Sequence, residues 1–472
     1  MWESARADKR APVWESARVD KRAPVWESAR VDKVEGVQRL LYASSTGRLR
    51  VHRSLQPVAR SGWEIGAADR LIPMPAGTTL MHLPGRFALG RTAAGSTRRL
   101  EEEGALAVAA VLPPGYLRTA LPAYEDDGRP PVLPLFGYAA VAAVDGEPHV
   151  AAMRTDRWSA WDPQAEDRQH VDRGIRAGQR ALPDSRLLRH LEICATDYRC
   201  LTAQNVFLRR GEGAIPVSPA CNAACLGCIS EQWGDVASPQ TRLAFAPTAT
   251  EIAELAAWHL SAGTTNFVSF GQGCEGEPLT RGAALVDATR RIRSAWPAAT
   301  IHINTNGSRP AVLRRLVEAG LNSVRISIFS LDDRRFRAYY RPVGYGLEQV
   351  AQCSDLVAAA GGQVTINLLT FPGISDAPPE LEALVAFVRE HGVHQVQLRS
   401  LNVDPHWLLA QIPDPTRGIG MRAFVRELTA RCPGLQLGNF TRPWQRPGFP
   451  SPSGGGKGGG RLKPAPAGHA FS

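Results

Sequence analysis

The strongest pattern in the chain begins near residue 208, where short apolar runs alternate with amphipathic stretches. Stretches such as TEIAELAAWHL and PELEALVAFVREHG have the apolar spacing of a surface helix. The apolar runs have the length of strands and read AIPVS, TNFVSF, TIHIN, SVRISIF, QVTINLLTF and QVQLRSL. This alternation predicts an α/β fold, a partial (β/α)6 TIM-like barrel over residues 208–440 with parallel strands and outer helices. In such barrels the chemistry lies at the carboxyl ends of the strands.

A different pattern precedes the barrel, between residues 37 and 207. Its apolar runs are short and are broken by proline and glycine, as in LIPMPAGTTLMHLPGRFALG, which predicts a smaller β-rich N-terminal domain. Asp145 and Gly146 lie between two apolar runs and predict a hairpin, because Asp-Gly suits the positive φ angles of a tight turn. Residues 182–204 predict a linking helix that begins at Asp184 as its N-cap.

The two ends of the chain have unusual compositions. Residues 1–36 repeat a 12-residue unit, WESARADKRAPV, WESARVDKRAPV and WESARVDK, in which Pro12 and Pro24 would interrupt a helix. We interpret this repeat as disordered, or as translated repetitive DNA ahead of a true start near Val34. Residues 441–472 are rich in glycine and proline and predict a disordered tail.

Composition excludes some functions. The longest apolar run, residues 105–112, is far shorter than the roughly 18 residues of a membrane helix, so we expect a soluble cytoplasmic protein with no membrane partner. The net charge is +10, but residues 1–33 contribute +2 and residues 441–472 contribute +5. The intervening chain therefore carries only +3, which does not support nucleic-acid binding.

Three of the eight cysteines crowd into the segment SPACNAACLGCIS, directly after the first predicted barrel strand. Cys221, Cys225 and Cys228 have the spacing CxxxCxxC, which can wrap three corners of one iron–sulfur cubane and leave the fourth iron without a protein ligand. A zinc site would need a fourth ligand, for which His259 is available in principle. Disulfides fit less well, because three neighbouring cysteines cannot all pair.

The segment CNAACLGC resembles the signature loop of the radical S-adenosylmethionine (SAM) superfamily. The resemblance implies a [4Fe–4S] cluster held by the three cysteines, with SAM chelating the open iron. It further implies reductive cleavage of SAM to a 5′-deoxyadenosyl radical, which abstracts hydrogen from a substrate that the sequence does not identify. Such an enzyme needs an electron donor such as ferredoxin or flavodoxin.

Later strands extend the resemblance over residues 208–405. The residues that it assigns to SAM binding follow the second, third and fourth strands: Gly276, Glu277, Pro278, Asn304, Asn306 and Ser327. The first three look like the family's GGEP element, although Glu275 replaces its first glycine. Asn304 and Asn306 lie in INTNGS at the end of the third strand, and Ser327 matches a position that meets the ribose. Gly227 stands where the family usually has an aromatic residue.

Two other functions remain open from the residues alone. One is a non-catalytic binding module for zinc or an iron–sulfur cluster. The other is a dinucleotide-binding oxidoreductase, because Gly271, Gly273 and Gly276 satisfy GxGxxG after a strand. Pro278 and the preceding cysteine loop have no role in a Rossmann unit, which disfavours this alternative.

Each of five further residues is compatible with two roles. Arg325 could face the barrel lumen and bind a carboxylate or form a structural ion pair, and Arg341 could bind a substrate anion or end a helix. Cys194, Cys200 and Cys274 could ligate a second cluster or be buried free cysteines.

Overall fold

The computed structural model describes residues 36–68, 70–128, 132–133, 137–156, 167–231, 238–415 and 417–444. The predicted repeat, up to residue 35, and the tail from residue 445 onward lie outside the described residues. The chain divides into two compact units. Among the described residues, none of the helices combines the length and the apolar composition that a bilayer crossing requires.

The first unit takes residues from three parts of the chain, up to Asp156 and then Thr370–Leu381 and Ser400–Leu428. Its strands pair antiparallel, 13 of them in one sheet and two in a separate pair. They are β1 (Gln38–Arg39), β2 (Leu41–Ala43), β3 (Leu49–Val51), β4 (Gln56–Ser61), β5 (Glu64–Ala67), β6 (Ile72–Pro73), β7 (Thr79–Arg91), β8 (Thr97–Arg99), β9 (Leu106–Val111), β10 (Tyr116–Arg118), β11 (Leu121–Pro122), β12 (Tyr124–Asp126), β13 (Ala139–Val144), β14 (Glu147–Val150) and β15 (Ala152–Arg154). The expected β-rich N-terminal region is therefore present.

The predicted hairpin is confirmed. Strands β13 and β14 pair with Val144 opposite Glu147, so Asp145 and Gly146 form a two-residue turn. Both have positive φ angles, 52° and 84°, as a type I′ turn requires.

The second unit contains a sheet of seven strands that follow one another in chain order. The strands are β16 (Glu212–Ala214), β17 (Phe267–Phe270), β18 (Thr300–Thr305), β19 (Ser323–Ile328), β20 (Gln363–Thr370), β21 (Gln395–Ser400) and β22 (Gln436–Gly438). β16 to β20 pair in parallel, as do β21 and β22. This is the predicted partial barrel, with a short seventh strand that the apolar pattern did not indicate. The first strand also differs, because the predicted run AIPVS, at 214–218, shares only Ala214 with β16, and Pro216 has no N–H for a strand ladder.

Helices connect the strands in sequence. They are α1 (Asp167–Ala181), α2 (Arg186–Thr196), α3 (Leu201–Leu208), α4 (Ala249–Leu260), α5 (Gly282–Ala295), α6 (Pro310–Glu318), α7 (Asp333–Tyr340), α8 (Leu347–Ala359), α9 (Pro378–Glu390), α10 (Pro405–Leu409) and α11 (Met421–Arg431). Parallel strands in sequential order require such crossovers, because the chain must return to the same edge of the sheet. The carboxyl ends of the strands consequently lie along one edge.

The predicted linking helix at 182–204 differs from the structure. The chain forms α2 and α3, separated at residues 197–200, and the N-cap of α2 is Ser185 instead of Asp184. The Ser185 hydroxyl accepts a hydrogen bond from the Leu188 N–H at 3.2 Å. Serine and aspartate are equally good N-caps, so their order along the chain could not be decided from residue type.

Candidate active site

The three cysteines of the CxxxCxxC segment form a loop after β16, at the carboxyl edge of the parallel sheet. We call residues 218–230 the cysteine loop. Cys221 is exposed, whereas Cys225 and Cys228 are half-buried. The N–H of Cys228 donates to the carbonyl of Cys225 at 3.2 Å, so the loop makes a tight turn between these two thiols.

The cysteine loop is fixed by backbone hydrogen bonds to the end of α7. The Ala224 N–H donates to the Tyr340 carbonyl and the Leu226 N–H to the Tyr339 carbonyl, both at 2.9 Å. The Asn222 carbonyl accepts from the Val343 N–H, also at 2.9 Å. The first two of these bonds use carbonyls that the end of α7 leaves unpaired. Sequence reasoning did not assign this role to the YYRPVGY segment, because the two segments lie more than 100 residues apart.

The loop after β17 lies against the stem of the cysteine loop. The Gly276 N–H donates to the Ser218 carbonyl at 2.7 Å, and the Glu277 N–H donates to the Ala220 carbonyl at 2.8 Å. A Cβ on Gly276 would lie 2.1 Å from the Ala220 carbonyl oxygen. Only glycine allows this approach, which explains the residue type at position 276.

The buried Glu277 carboxylate joins the same loop to the end of β18. It accepts hydrogen bonds from the Thr305 hydroxyl at 2.5 Å, the Asn306 N–H at 2.8 Å and the Leu279 N–H at 3.0 Å. Burial raises the pKa of Glu277 to about 7, although these hydrogen bonds oppose the shift. The Asn306 amide in turn donates to the Asn222 side-chain oxygen at 2.9 Å. Hydrogen bonds therefore link the loops after β16, β17 and β18.

Glu275 has a role that the sequence did not reveal. Its carboxylate is buried and accepts from the N–H groups of Val217 (2.6 Å), Ser218 (2.8 Å) and Gln272 (2.6 Å). Burial raises its pKa to about 8, against the lowering effect of these backbone donors. Glu275 thus ties the stem of the cysteine loop to the loop after β17.

The remaining predicted residues are less closely associated with the cysteine loop. The Asn304 amide donates to the Phe270 carbonyl at 3.0 Å, and Ser327 accepts from the Asn367 amide at 3.1 Å. Pro278 is buried and begins the short 3-10 turn Pro278–Arg281. Of the six residues assigned to SAM binding, Gly276, Glu277 and Asn306 are the ones joined by hydrogen bonds to the cysteine loop.

The three thiols form a donor set that suits a metal cluster. Desolvation raises the pKa of Cys221 to about 11 even though it keeps solvent contact, and the pKa of Cys225 is raised by burial and by the neighbouring thiolates. Thiols in such a group bind a metal as thiolates, and a cationic centre between them would remove their mutual repulsion. Arg242, a residue that sequence reasoning missed, donates to the Cys228 sulfur at 3.6 Å and also pairs with Glu231.

Residues 215–385 match the family model described as the radical SAM superfamily. This match contains the cysteine loop and the loops after β17, β18 and β19. This part of the chain belongs to the radical SAM superfamily. Members of this superfamily bind a [4Fe–4S] cluster and SAM.

Two curated relatives share sequence with this radical SAM chain. A GTP 3',8-cyclase from Chlorobaculum tepidum is 33% identical over 180 residues, which are 38% of this chain and 49% of the relative. A GTP 3',8-cyclase from Marinobacter nauticus is 28% identical over 209 residues, which are 44% of this chain and 57% of the relative. The chain therefore spans about half the length of the curated relatives that it matches.

Among solved structures, Streptococcus suis SuiB bound to S-adenosylmethionine is similar at 13% identity and a TM-score of 0.35. The similarity covers 49% of this chain and 51% of SuiB.

In the radical SAM domain, His259 does not supply a fourth ligand to the three cysteines. It lies buried on α4, with its Nε2 3.4 Å from the Gly211 carbonyl, and a Cβ on Gly213 of β16 would clash with its ring. Burial lowers its pKa to about 4, as expected for a neutral core histidine. A zinc site in the cysteine loop would therefore not have His259 as its fourth ligand.

The GxGxxG segment has a different explanation from dinucleotide binding. Gly271 has a φ of 78°, and a Cβ there would lie 1.8 Å from the Asn304 carbonyl oxygen, so glycine is required by the neighbouring strand. The N–H groups of Gln272, Gly276 and Glu277 already donate to protein acceptors. These amides are not free to cradle a pyrophosphate, as those of a Rossmann turn would be.

The two arginines singled out in the sequence occupy structural positions. Arg325 is largely enclosed by the barrel and donates to the Gln397 side-chain oxygen at 2.9 Å. Burial lowers the pKa of Arg325, and the nearby Glu212 carboxylate opposes this shift. Arg341 ends α7 in the left-handed conformation, with a φ of 45°, which agrees with the helix-end reading.

Proposed function

We propose that this protein is a radical SAM enzyme that cleaves SAM reductively at a [4Fe–4S] cluster held by Cys221, Cys225 and Cys228. One observation carries this function. The three thiols lie on a loop at the carboxyl end of β16, and that loop is hydrogen-bonded to Gly276 and Glu277 after β17. Chemistry in β/α barrels is expected at this edge, and the two loops supply a thiolate set beside a ligand-binding element.

Different residues of the chain would bind the cluster and the two ends of SAM. The cysteines hold three irons, and the fourth position stays open for SAM because no further cysteine belongs to the loop. Gly276, Glu277 and Pro278 shape the site for the methionyl end of SAM. Polar groups for the remainder of the molecule come from Asn304, Asn306 and Ser327. A bound cluster would supply the electron for the reductive cleavage of SAM.

Two further participants belong to this proposal. A protein reductant such as ferredoxin or flavodoxin delivers the electron, and a substrate gives up the hydrogen atom. The curated relatives are named GTP 3',8-cyclase, so GTP belongs among the first compounds to test. The proposal assigns the cofactor chemistry and leaves the substrate class open, because the chain spans about half of those relatives.

The test is formation of 5′-deoxyadenosine without added substrate. The full chain is reconstituted anaerobically with iron and sulfide, reduced with dithionite and incubated with SAM, and the nucleoside is quantified by chromatography. We expect slow turnover by the wild type and none by Cys221→Ala, Cys225→Ala or Cys228→Ala, because each change removes one thiolate that an iron needs. Cys432→Ala, which removes a buried cysteine distant in sequence from the loop, should retain the activity.

The alternative binding module makes a different set of predictions. A protein that holds zinc in the loop would be colourless after reconstitution and would form no 5′-deoxyadenosine. The same amount of product from the triple cysteine variant as from the wild type would also end the radical SAM assignment of this site.

A further inference from the structure

A second group of metal-binding side chains lies outside the cysteine loop. His190 and Cys194 are on α2, and Cys274 is on the loop after β17. One ligand atom from each of the three lies within 4.8 Å of those of the other two, and Cys194 and Cys274 are buried. Within the part of the chain that the structure describes, this is the one such group of three.

The local fold brings these side chains together. His190 and Cys194 are four residues apart, so they lie on the same face of α2. The helix ends at Thr196, and the Cys200 N–H turns back to the Cys194 carbonyl at 2.9 Å, which keeps Cys200 beside them. On the other side, the Cys274 carbonyl accepts the Leu243 N–H at 2.8 Å.

The spacing indicates a single ion and not a second cluster. Zinc binds sulfur at about 2.3 Å and imidazole nitrogen at about 2.0–2.1 Å, so two ligand atoms of one zinc ion lie at most ~4.6 Å apart. The Cys194 sulfur is 3.8 Å from the His190 Nε2, well inside that limit. Thiolates on different corners of a cubane are held further apart, because irons and sulfides lie between them.

We propose that His190, Cys194 and Cys274 form a mononuclear site for a zinc-type divalent cation, with Cys200 next to the fourth coordination position. The donor set of one imidazole and two thiolates is among those that zinc prefers. Cys200 follows the end of α2, and its N–H donates to the Cys194 carbonyl at 2.9 Å, which places it beside this donor set.

The two sulfurs are in contact, because Cys274 donates a hydrogen bond to Cys194. A divalent cation bound by both thiolates would replace the proton between them.

The position of the site gives it a structural role near the cysteine loop. Cys274 directly precedes Glu275, whose carboxylate holds Val217 and Ser218 at the stem of that loop. An ion bound by Cys274 and Cys194 would therefore fasten α2 to the loop that carries Gly276 and Glu277. Its loss should loosen this connection without removing any cysteine of the loop itself.

The test counts metals in the full chain. The anaerobic protein is reconstituted with its cluster, treated with EDTA, and dialysed against buffered Zn²⁺, and zinc and iron are measured by mass spectrometry. We expect ~1 zinc and ~4 iron per chain. The extended X-ray absorption fine structure at the zinc edge should report at least two sulfur neighbours at about 2.3 Å.

Variants assign the zinc to the proposed ligands. Cys194→Ser and Cys274→Ser should each weaken zinc binding about 100-fold or more and leave the iron content unchanged. His190→Gln, at a half-buried position, should also weaken zinc binding and should disturb the fold less. Cys432→Ser should leave zinc unchanged. The variant with Cys221, Cys225 and Cys228 all changed to Ala should lose the iron and keep the zinc, which separates this site from the function proposed above.

Three results would overturn the zinc site. The first is less than stoichiometric zinc in the wild type, or zinc that the ligand variants retain. The second is ~8 iron per chain that falls to ~4 in Cys194→Ser, which would mean a second cluster. The third is a Cys194–Cys274 disulfide in the anaerobic protein, found by mass spectrometry of unreduced peptides.

Discussion

Glu275 shows how one residue that departs from a family pattern is accommodated. It occupies the position of the first glycine in the GGEP element, and its carboxylate accepts hydrogen bonds from the N–H groups of Val217, Ser218 and Gln272. A glycine at this position could not make these contacts. The side chain therefore adds a buried connection to the backbone bonds and to the Ser218–Thr280 hydroxyl contact that also join the two loops.

Glu275→Gln should weaken this connection. The amide group keeps the size of the side chain, but its NH2 faces backbone donors and leaves at least one buried N–H unpaired, which costs about 1–3 kcal/mol. At about 2–4 °C per kcal/mol, the loss should be visible as a lower Tm. The affinity for SAM should fall as well, while the iron content stays at the wild-type value because no cysteine is touched.

The control for Glu275 is Glu318→Gln, at an exposed position on α6. This variant should match the wild type in Tm and in SAM affinity, since surface substitutions change stability little. If Glu275→Gln also matches the wild type in both measurements, the carboxylate is dispensable. If it loses iron, Glu275 supports the cysteines themselves.

At the scale of elements, the apolar pattern placed β17 to β21 and the motifs that follow them, but the run AIPVS, at 214–218, shares only Ala214 with β16. The ends of β17 and β18 were predictable because their apolar runs stop where the loops begin. The sequence therefore placed Gly276, Glu277 and Asn306 at one edge of the sheet. Contacts made by side chains from distant segments were not predictable. Arg242 lies 14 residues beyond Cys228 in a segment without periodicity, and nothing in its neighbours marks it as a donor to sulfur.

The break between α2 and α3 shows a second limit of the pattern. Leu187, Leu188 and Leu191 follow at helical spacing, so the pattern predicts one helix over 182–204. The helix ends at Thr196, and Arg199 in the loop that follows has a φ of 51°. Arginine has no special preference for this conformation, and tertiary contacts decide it.

The start of α4 is connected to α2 by an ion pair that can be tested by pH. Glu251 accepts the Thr248 N–H at 2.8 Å in a capping box and pairs with Arg186 through two bonds of 2.8 Å. The bonds from Arg186 are the main cause that lowers the pKa of Glu251 to about 2. A lowered pKa in the folded state stabilises the protein above the ordinary value of 4.5, and this contribution is lost as the pH falls toward 2.

Glu251→Gln should therefore lower the Tm slightly at about pH 7, by about 1 °C, because an exposed pair is screened by solvent. The difference from the wild type should shrink at about pH 3, measured by thermal unfolding of the full chain before reconstitution. Glu254→Gln, at an exposed position on the same helix, should show neither effect. A difference that grows as the pH falls would contradict the assigned sign.

At the scale of the whole molecule, the first unit is assembled from distant parts of the chain. The apolar pattern predicted a domain that ends near residue 207, but Thr370–Leu381 and Ser400–Leu428 also pack in this unit. One connection is made by Asp404, whose carboxylate pairs with Arg86 of β7. Both side chains are only 1% exposed. Asp404 also caps α10, since it accepts the His406 N–H at 3.1 Å.

Asp404→Asn should be strongly destabilising, because it leaves the Arg86 cation buried without its counter-charge. The asparagine can still cap α10, so loss of the cap does not contribute. Removing one partner of a buried ion pair typically costs about 3–5 kcal/mol, so we expect a lower Tm or less soluble protein. Asp287→Asn is the matched control, because it breaks a surface pair with Arg291 that is worth about 0.3–0.5 kcal/mol. Arg86→Met added to Asp404→Asn should recover much of the loss, since it removes the unpaired charge. If the double variant is no more stable than Asp404→Asn, the damage comes from altered packing around residue 404, and the buried charge of Arg86 is not its cause.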